Sequence, residues 1–296
     1  MLLRSAASLP ILLALLFIVV LVMGALPSIK VFGLGFLVSS EWDASEGREQ
    51  YGALAFIYGT IFSSLFALLI AAPVGIGVAT FLSEVFRSRF RSVIAFLIEV
   101  LATIPSIVYG MWGFYVMVPW VEKYVMPPVQ GVFGKEFILF RGFSGLSLFS
   151  GGLILAVMIL PVIVSISYDA IRSVPRSYRE AAIGLGATRW EMIRLAVWPA
   201  ARSGLIASCI LALGRAMGET MAITMVIGNS YIIQWSLFAS ANTIASAIAS
   251  QFSEASGLQL SALIELALLL FLMTLTVNAL ARYILGRLGN RKAALT

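Results

Sequence analysis

Six apolar stretches, each long enough to cross a bilayer, mark the chain at about 9–26, 51–82, 93–119, 148–171, 205–227 and 260–285. A hydrocarbon core about 30 Å thick takes about 20 residues of helix. Backbone polar groups within lipid must be satisfied internally, so each stretch is expected to be helical. Composition closes the soluble alternative: 60% of the 296 residues are hydrophobic, 11% are charged, and mean hydropathy is +1.00. The expected fold class is an all-α membrane protein of about six transmembrane helices.

Positive charge sets the orientation. Assigned to alternating sides, the segments between spans collect fourteen Lys and Arg on one side: Arg4, Arg87, Arg89, Arg91, Arg172, Arg176, Arg179, Arg189, Arg194, Arg202, Arg282, Arg287, Arg291 and Lys292. The other side has Lys30, Arg48, Lys123, Lys135 and Arg141. The positive-inside rule places the richer side, and both termini, in the cytoplasm. Residues 1–50 form an N-terminal transmembrane helix with its outer loop, and 51–296 form the core, with a long cytoplasmic segment at 172–203. The first span ends in small residues at Val22-Met23-Gly24-Ala25, which raises a cleaved signal peptide as an alternative. Its long apolar run and single Arg4 favour a retained anchor. Pro73 and Pro105 each remove a backbone donor within a span and are expected to kink it.

Several function classes fall away. There is no histidine, so no imidazole base or ligand is available, and no metal site or cofactor is expected. The one cysteine, Cys209, cannot form an internal disulfide. The net charge of +6 is spread over short loops, where topology accounts for it, and nucleic acid is not an expected partner. No G-x-x-x-x-G-K-[ST] sequence occurs; "GVFGK" at 131–135 has the wrong spacing and lies on the outer side.

Residues 172–203, "RSVPRSYREAAIGLGATRWEMIRLAVWPAARS", are too polar to span and too apolar for a solvated loop. Pro175 opens a helix, Gly184 and Gly186 break it, and a second amphipathic piece runs over 189–197. Trp190, Ile193 and Val197 share one face there, while Arg189 and Arg194 lie elsewhere. Two readings stand: a helix docked on a protein partner, or an interfacial helix lying on the inner leaflet. Glu180-Ala181-Ala182, then three residues, Gly186 and later Pro199, resemble the EAA motif of permeases of ATP-binding-cassette importers. Ala196 and Trp198 depart from the Ile and Leu usual in that family. The resemblance implies a coupling helix that fits a cleft on an ATP-binding subunit, with Glu180, Ala181, Ala182, Gly186 and Arg189 at the junction. It also implies that ATP is hydrolysed by another polypeptide, so this chain is not itself an enzyme.

The fifth span carries two charges in "GRAMGETMAITMVIGN", residues 214–229. Arg215 and Glu219 are four residues apart, so a continuous helix would present them on one face, able to pair. A charge at membrane depth costs roughly 2.5–3.5 kcal/mol on insertion scales, so the pair is expected to face the bundle interior. A register-fixing ion pair and a transport route for an anion both fit, since a guanidinium binds oxyanions in a forked geometry. Gly214, Gly218 and Ala222 form a small-residue stripe for close helix approach. Met217, Met221 and Met225 are expected to serve packing. Glu99 and Glu265 also lie within spans; solvation or snorkelling near a helix end explains Glu265 as well as any function does.

The stretch at 214–229 resembles the matching span of phosphate permeases of the PstC type, with Gly218-Glu219-Thr220-Met221-Ala222 where the sister PstA type tends to read G-E-T-A-P. "LATIPSIVYG" (101–110) and "SSEWD" (39–43) are similar to that family too, so the likeness runs from residue 36 to the last span. It implies a pathway formed in part by Arg215, Glu219 and Thr220. It also implies an assembly with a pair of ATP-binding-cassette subunits, a second unlike permease of the PstA type and an extracytoplasmic phosphate-binding protein, in the inner membrane. Sulfate, molybdate or phosphonate, and an ion-gradient-driven carrier or a non-transporting scaffold, are the competing readings.

Overall fold

The computed structural model describes residues 2–45, 48–86, 90–134, 137–142 and 144–293. Arg87, Arg89 and Lys135, counted above for topology, lie outside the described residues, as do the side chains of Arg4, Arg91, Arg287, Arg291 and Lys292.

The chain is almost wholly helical. A long first helix α1 (Leu2–Phe32) leads through a short α2 (Gly35–Val38) to a two-residue hairpin, β1 (Trp42–Asp43) with β2 (Gln50–Tyr51). There follow α3 (Leu54–Thr80), α4 (Arg91–Ala102), α5 (Ser106–Trp112), α6 (Val118–Trp120), α7 (Met126–Phe133) and α8 (Leu148–Arg172). After these come α9 (Arg176–Gly184), α10 (Arg189–Met192), α11 (Trp198–Met217), α12 (Met221–Val226), α13 (Ile244–Gln251) and α14 (Gly257–Ala293). Among the described residues, five helical runs are long and apolar enough to cross a membrane: Leu9–Phe32, Leu54–Val85, Leu148–Arg172, Arg189–Met217 and Gly257–Tyr283. The sixth expected span is a bent pair, Val93–Ala102 and Ser106–Phe133, with an 89° angle between its limbs.

The two prolines behave differently. Pro73 sits inside a helix that runs on to Thr80. Pro105 stands in extended conformation at the N-cap of α5, so the expected kink is a full break. Tyr109 Oη donates to the Leu101 carbonyl at 2.9 Å across that break.

The core forms where α3 crosses α8, the most extensive helix pair. Along α3 the buried positions Ala55, Gly59, Ser63, Ala67, Ala71, Gly75 and Ala79 recur every fourth residue. Such a ladder of small side chains brings backbones together where lipid supplies no hydrophobic drive. Ile163 fills the space at Gly75, and the Asn242 carbonyl lies against Gly59. Leu155, Ile159 and Ile163 of α8 complete this layer with Ala212 and Ala216 of α11 and Ile223 of α12.

The hairpin pins the first helix. Trp42 packs edge-on against Tyr51 and Phe56 at 4.9 Å each, and its indole donates to Gln251 at 2.9 Å. Asp43 accepts from the Ser45 hydroxyl and amide, which holds its carboxyl below the usual carboxylate range. "SSEWD" is thus a structural corner. Helix α1 packs along α14, where Ile264 occupies the notch at Gly24 and Ala25 is fully buried. The small residues that suggested a cleavage site act there as helix contacts.

Candidate functional site

Two regions carry the residues singled out in the sequence. The first is the segment between α8 and α11. Helix α9 starts after Pro175, buries none of its residues, and stops where Gly186 adopts φ +85°. There the Gly186 amide donates to the Ile183 carbonyl and the Ala187 amide to that of Ala182, closing the helix in a left-handed cap. Thr188 then opens α10 with a reciprocal capping box: its hydroxyl accepts from the Glu191 amide, and the Glu191 carboxylate accepts from the Thr188 amide at 2.8 Å. The helix, glycine turn, helix reading of this segment holds.

Two of its details are corrected. The second helix does not end at Val197: a π-helical turn, Ile193–Val197, carries it into α11, so the fifth span begins at Arg189 and not near 205. The stripe expected to dock outward is divided. Ile193 and Val197 turn inward onto Leu82, Val164, Ile171 and Val174, while Trp190 stays exposed and packs edge-on against Trp198 at 5.6 Å. The open apolar surface belongs to α9. Tyr178, Ala181, Ala182 and Leu185 face Leu195 and Pro199 across a groove of about 550 Å³, and Leu185 is 91% exposed. Glu180 lines the other side of α9 with Arg176, Arg179 and Arg189, around a cavity of about 430 Å³.

Arg179, one residue before the EAA run, has the densest set of bonds in this segment. Its Nη2 meets Glu84 Oε1 at 2.7 Å and its Nε lies 3.1 Å from Glu84 Oε2, while further N–H groups donate to the carbonyls of Ile171 and Val174. The side chains of Arg179 and Glu84 are 19% and 7% exposed. Removing one partner of so buried a pair typically costs about 3–5 kcal/mol, because the other charge is left without compensation. Glu84 lies in the π-helical turn Phe81–Val85 that ends the second span. In the sequence Arg179 counted only toward topology and Glu84 was not marked, because 95 positions separate the two.

The second region is the end of α11. The helix stops at Met217, Gly218 follows as its cap, and α12 starts at Met221. Arg215 and Glu219 therefore do not share a helical face, and no ion pair joins them among the described residues. The Glu219 carboxylate turns toward the start of α12, where Oε1 accepts from the Ala222 amide at 3.3 Å. Thr220 lies in the break, its hydroxyl 3.3 Å from the Gly218 carbonyl and its own carbonyl accepting from the Thr224 amide. Nor does Arg215 point into the bundle: it is exposed on this chain, within electrostatic reach of Tyr109.

The small-residue stripe divides at the same break. Ala222 is buried against Gly110 of α5, whereas Gly214 meets nothing within 4 Å of where a Cβ would lie. Met217 is buried and Met225 packs on Gly110, as expected, but Met221 is 52% exposed. Glu265 is not solvated near a helix end. It is 8% exposed, with Oε2 unpartnered.

Residues 71–290 match the family model described as "Binding-protein-dependent transport system inner membrane component". The chain is 46% identical over 276 residues to the phosphate transport system permease protein PstC of Haemophilus influenzae, covering 92% of this chain and 87% of that one. It is 44% identical to the PstC of Mesorhizobium japonicum, with coverage of 92% and 84%. It is 37% identical to PstC 2 of Mycobacterium tuberculosis, with coverage of 95% and 89%. Among solved structures, an inward-facing MetNI methionine ABC transporter shares the fold at a TM-score of 0.54 and 17% identity, over 80% of this chain and 94% of that one.

Proposed function

The chain belongs to the family of binding-protein-dependent transport system inner membrane components, and from that premise we propose that it is the transmembrane permease subunit of an ATP-driven importer of inorganic phosphate. The observation that carries the proposal is 44–46% identity to phosphate permeases over 92% of this chain.

The geometry supplies the working parts. Helix α9 stands out from the bundle with an alanine-lined groove, a form suited to a cleft on an ATP-binding subunit. Glu180 and Arg189 lie on its polar side and fix orientation, Ala181 and Ala182 permit close approach, and Gly186 sets the angle between the limbs. ATP is hydrolysed by that partner, since this sequence has no P-loop.

Arg215 marks the route. An exposed guanidinium at the end of a membrane helix is costly against acyl chains and stable beside a polar passage. With Glu219 engaged at α12, the guanidinium keeps its forked donors for an oxyanion. Thr220, in the broken segment next to it, contributes a hydroxyl and bent backbone, the kind of discontinuity at which membrane transporters hold substrate. The other wall of the passage comes from an unlike second permease of the PstA type, and phosphate is delivered by an extracytoplasmic binding protein. The subunit sits in the cytoplasmic (inner) membrane with both termini and α9 in the cytoplasm.

The test is uptake of labelled phosphate into vesicles holding all subunits. Uptake that requires ATP and every subunit is the expected result; uptake by this chain alone, or driven by an ion gradient without ATP, overturns the reading.

A further inference from the structure

The cytoplasmic end of the second span is fastened to both limbs of the coupling segment. On the descending limb, Arg179 of α9 grips Glu84 through two nitrogens, at 2.7 Å from Nη2 and 3.1–3.2 Å from Nε. On the ascending limb, the Trp198 indole N–H donates to Thr80 Oγ1 at 3.1 Å. Thr80 and Glu84 are one turn apart, at the end of α3 and in the π-helical turn that follows it. Arg179 and Trp198 are nineteen residues apart and bracket the exposed part of the coupling segment.

We propose that Thr80–Trp198 and Glu84–Arg179 form a two-point tether that makes the second span move with the coupling helix, so that Arg179 and Trp198 are positioning residues for energy transfer. The inference rests on the reading of the chain as an ATP-driven permease. Helices α8 and α11 are joined to the coupling segment by the chain itself, but α3 is not. Its remaining contact there is apolar, Ala79 and Leu82 against Val164, Ile171, Val174 and Val197. Such packing lets helices slide past one another in small shear steps. Two directional bonds on opposite limbs remove that freedom: one bond would leave a pivot, whereas two fix both position and rotation. Arg179 strengthens the joint by also binding the Ile171 carbonyl at the end of α8 and the Val174 carbonyl just beyond it, so one guanidinium links the ends of three helical segments.

The experiment measures phosphate taken up per ATP hydrolysed by the complete assembly in proteoliposomes, with assembly checked by co-purification. Glu84→Gln combined with Trp198→Phe is expected to lower that ratio about threefold or more while ATP hydrolysis continues. Trp198→Phe and Thr80→Val delete the same hydrogen bond from opposite ends, the first also trimming the ring that packs on Trp190 and the second also losing the Thr80 hydroxyl's bond to the Ile76 carbonyl, and each is expected to lower the ratio by a smaller factor. A wild-type ratio in any assembled variant overturns the tether, as does a fall in uptake that only tracks loss of assembled complex. If the wild-type assembly itself shows no ATP-dependent phosphate uptake, the functional reading fails, a result separate from any difference among variants.

Discussion

Gly110 and Ala222 touch backbone to backbone: a Cβ at position 110 would lie 3.0 Å from the Ala222 Cα and 2.9 Å from the Met225 sulfur. The contact locks α5, which follows the break at Pro105, onto α12, which follows the break at Gly218. Two discontinuous helices are thus held as one unit beside Arg215.

Gly110→Val is expected to force α5 and α12 apart. Overpacking of this kind typically costs about 1–3 kcal/mol. The purified complex in detergent should unfold at a lower temperature, and uptake should fall with the altered position of the break. Gly131→Ala, where a Cβ meets nothing within 4 Å, serves as the control and should leave both unchanged.

Arg215→Gln is expected to abolish most uptake while the complex still assembles, because the exposed guanidinium has no ion pair to lose among the described residues. Glu219→Gln should be milder, since an amide oxygen can still accept from the Ala222 amide. Had the two residues formed a register-fixing pair, both substitutions would damage assembly alike. Uptake and co-purification measured together on the two variants separate these outcomes.

The membrane fold was legible because hydropathy reports solvent preference over long windows. It is weaker at locating where a helix stops inside an apolar run. The break after Met217 had a signal in Gly218, a residue favoured just past helix ends, but the apolar run continuing to Ile227 hid it. The start of the fifth span at Arg189 was obscured by Pro199, which reads as an interruption yet is tolerated near the start of α11, after the π-helical turn. The ladder from Ala55 to Ala79 stood in the sequence at intervals of four, visible to a search for small residues and invisible to hydropathy. The Glu84–Arg179 pair had no local sign at all, because only the packing of α3 on α8 brings 95-residue neighbours together.

Gly186→Val is expected to disturb the turn between α9 and α10. At φ +85° a β-branched residue is strained by about 1–2 kcal/mol. The turn is exposed, so the bundle should remain folded while the angle between the limbs changes. The ATP-binding subunits should co-purify less efficiently, and Gly186→Asn, which tolerates the left-handed region better, should retain more of them.

Leu185 decides between the two readings of the coupling segment. At 91% exposure it is the most exposed large apolar side chain described, and it lines the same groove as Ala181 and Ala182. An interfacial helix would use such a side chain to enter the acyl boundary, and a coupling helix would seat it in a protein cleft. Leu185→Asp removes either contact, but the consequences differ. If the segment docks on ATP-binding subunits, their co-purification and ATP-driven uptake should both drop at least tenfold. Membrane insertion of this chain would be unchanged, since none of the five spanning helices includes Leu185. If the segment lies on the lipid surface, the subunits should bind as before, while quenching of a fluorophore placed at Trp190 by headgroup-labelled lipid should fall.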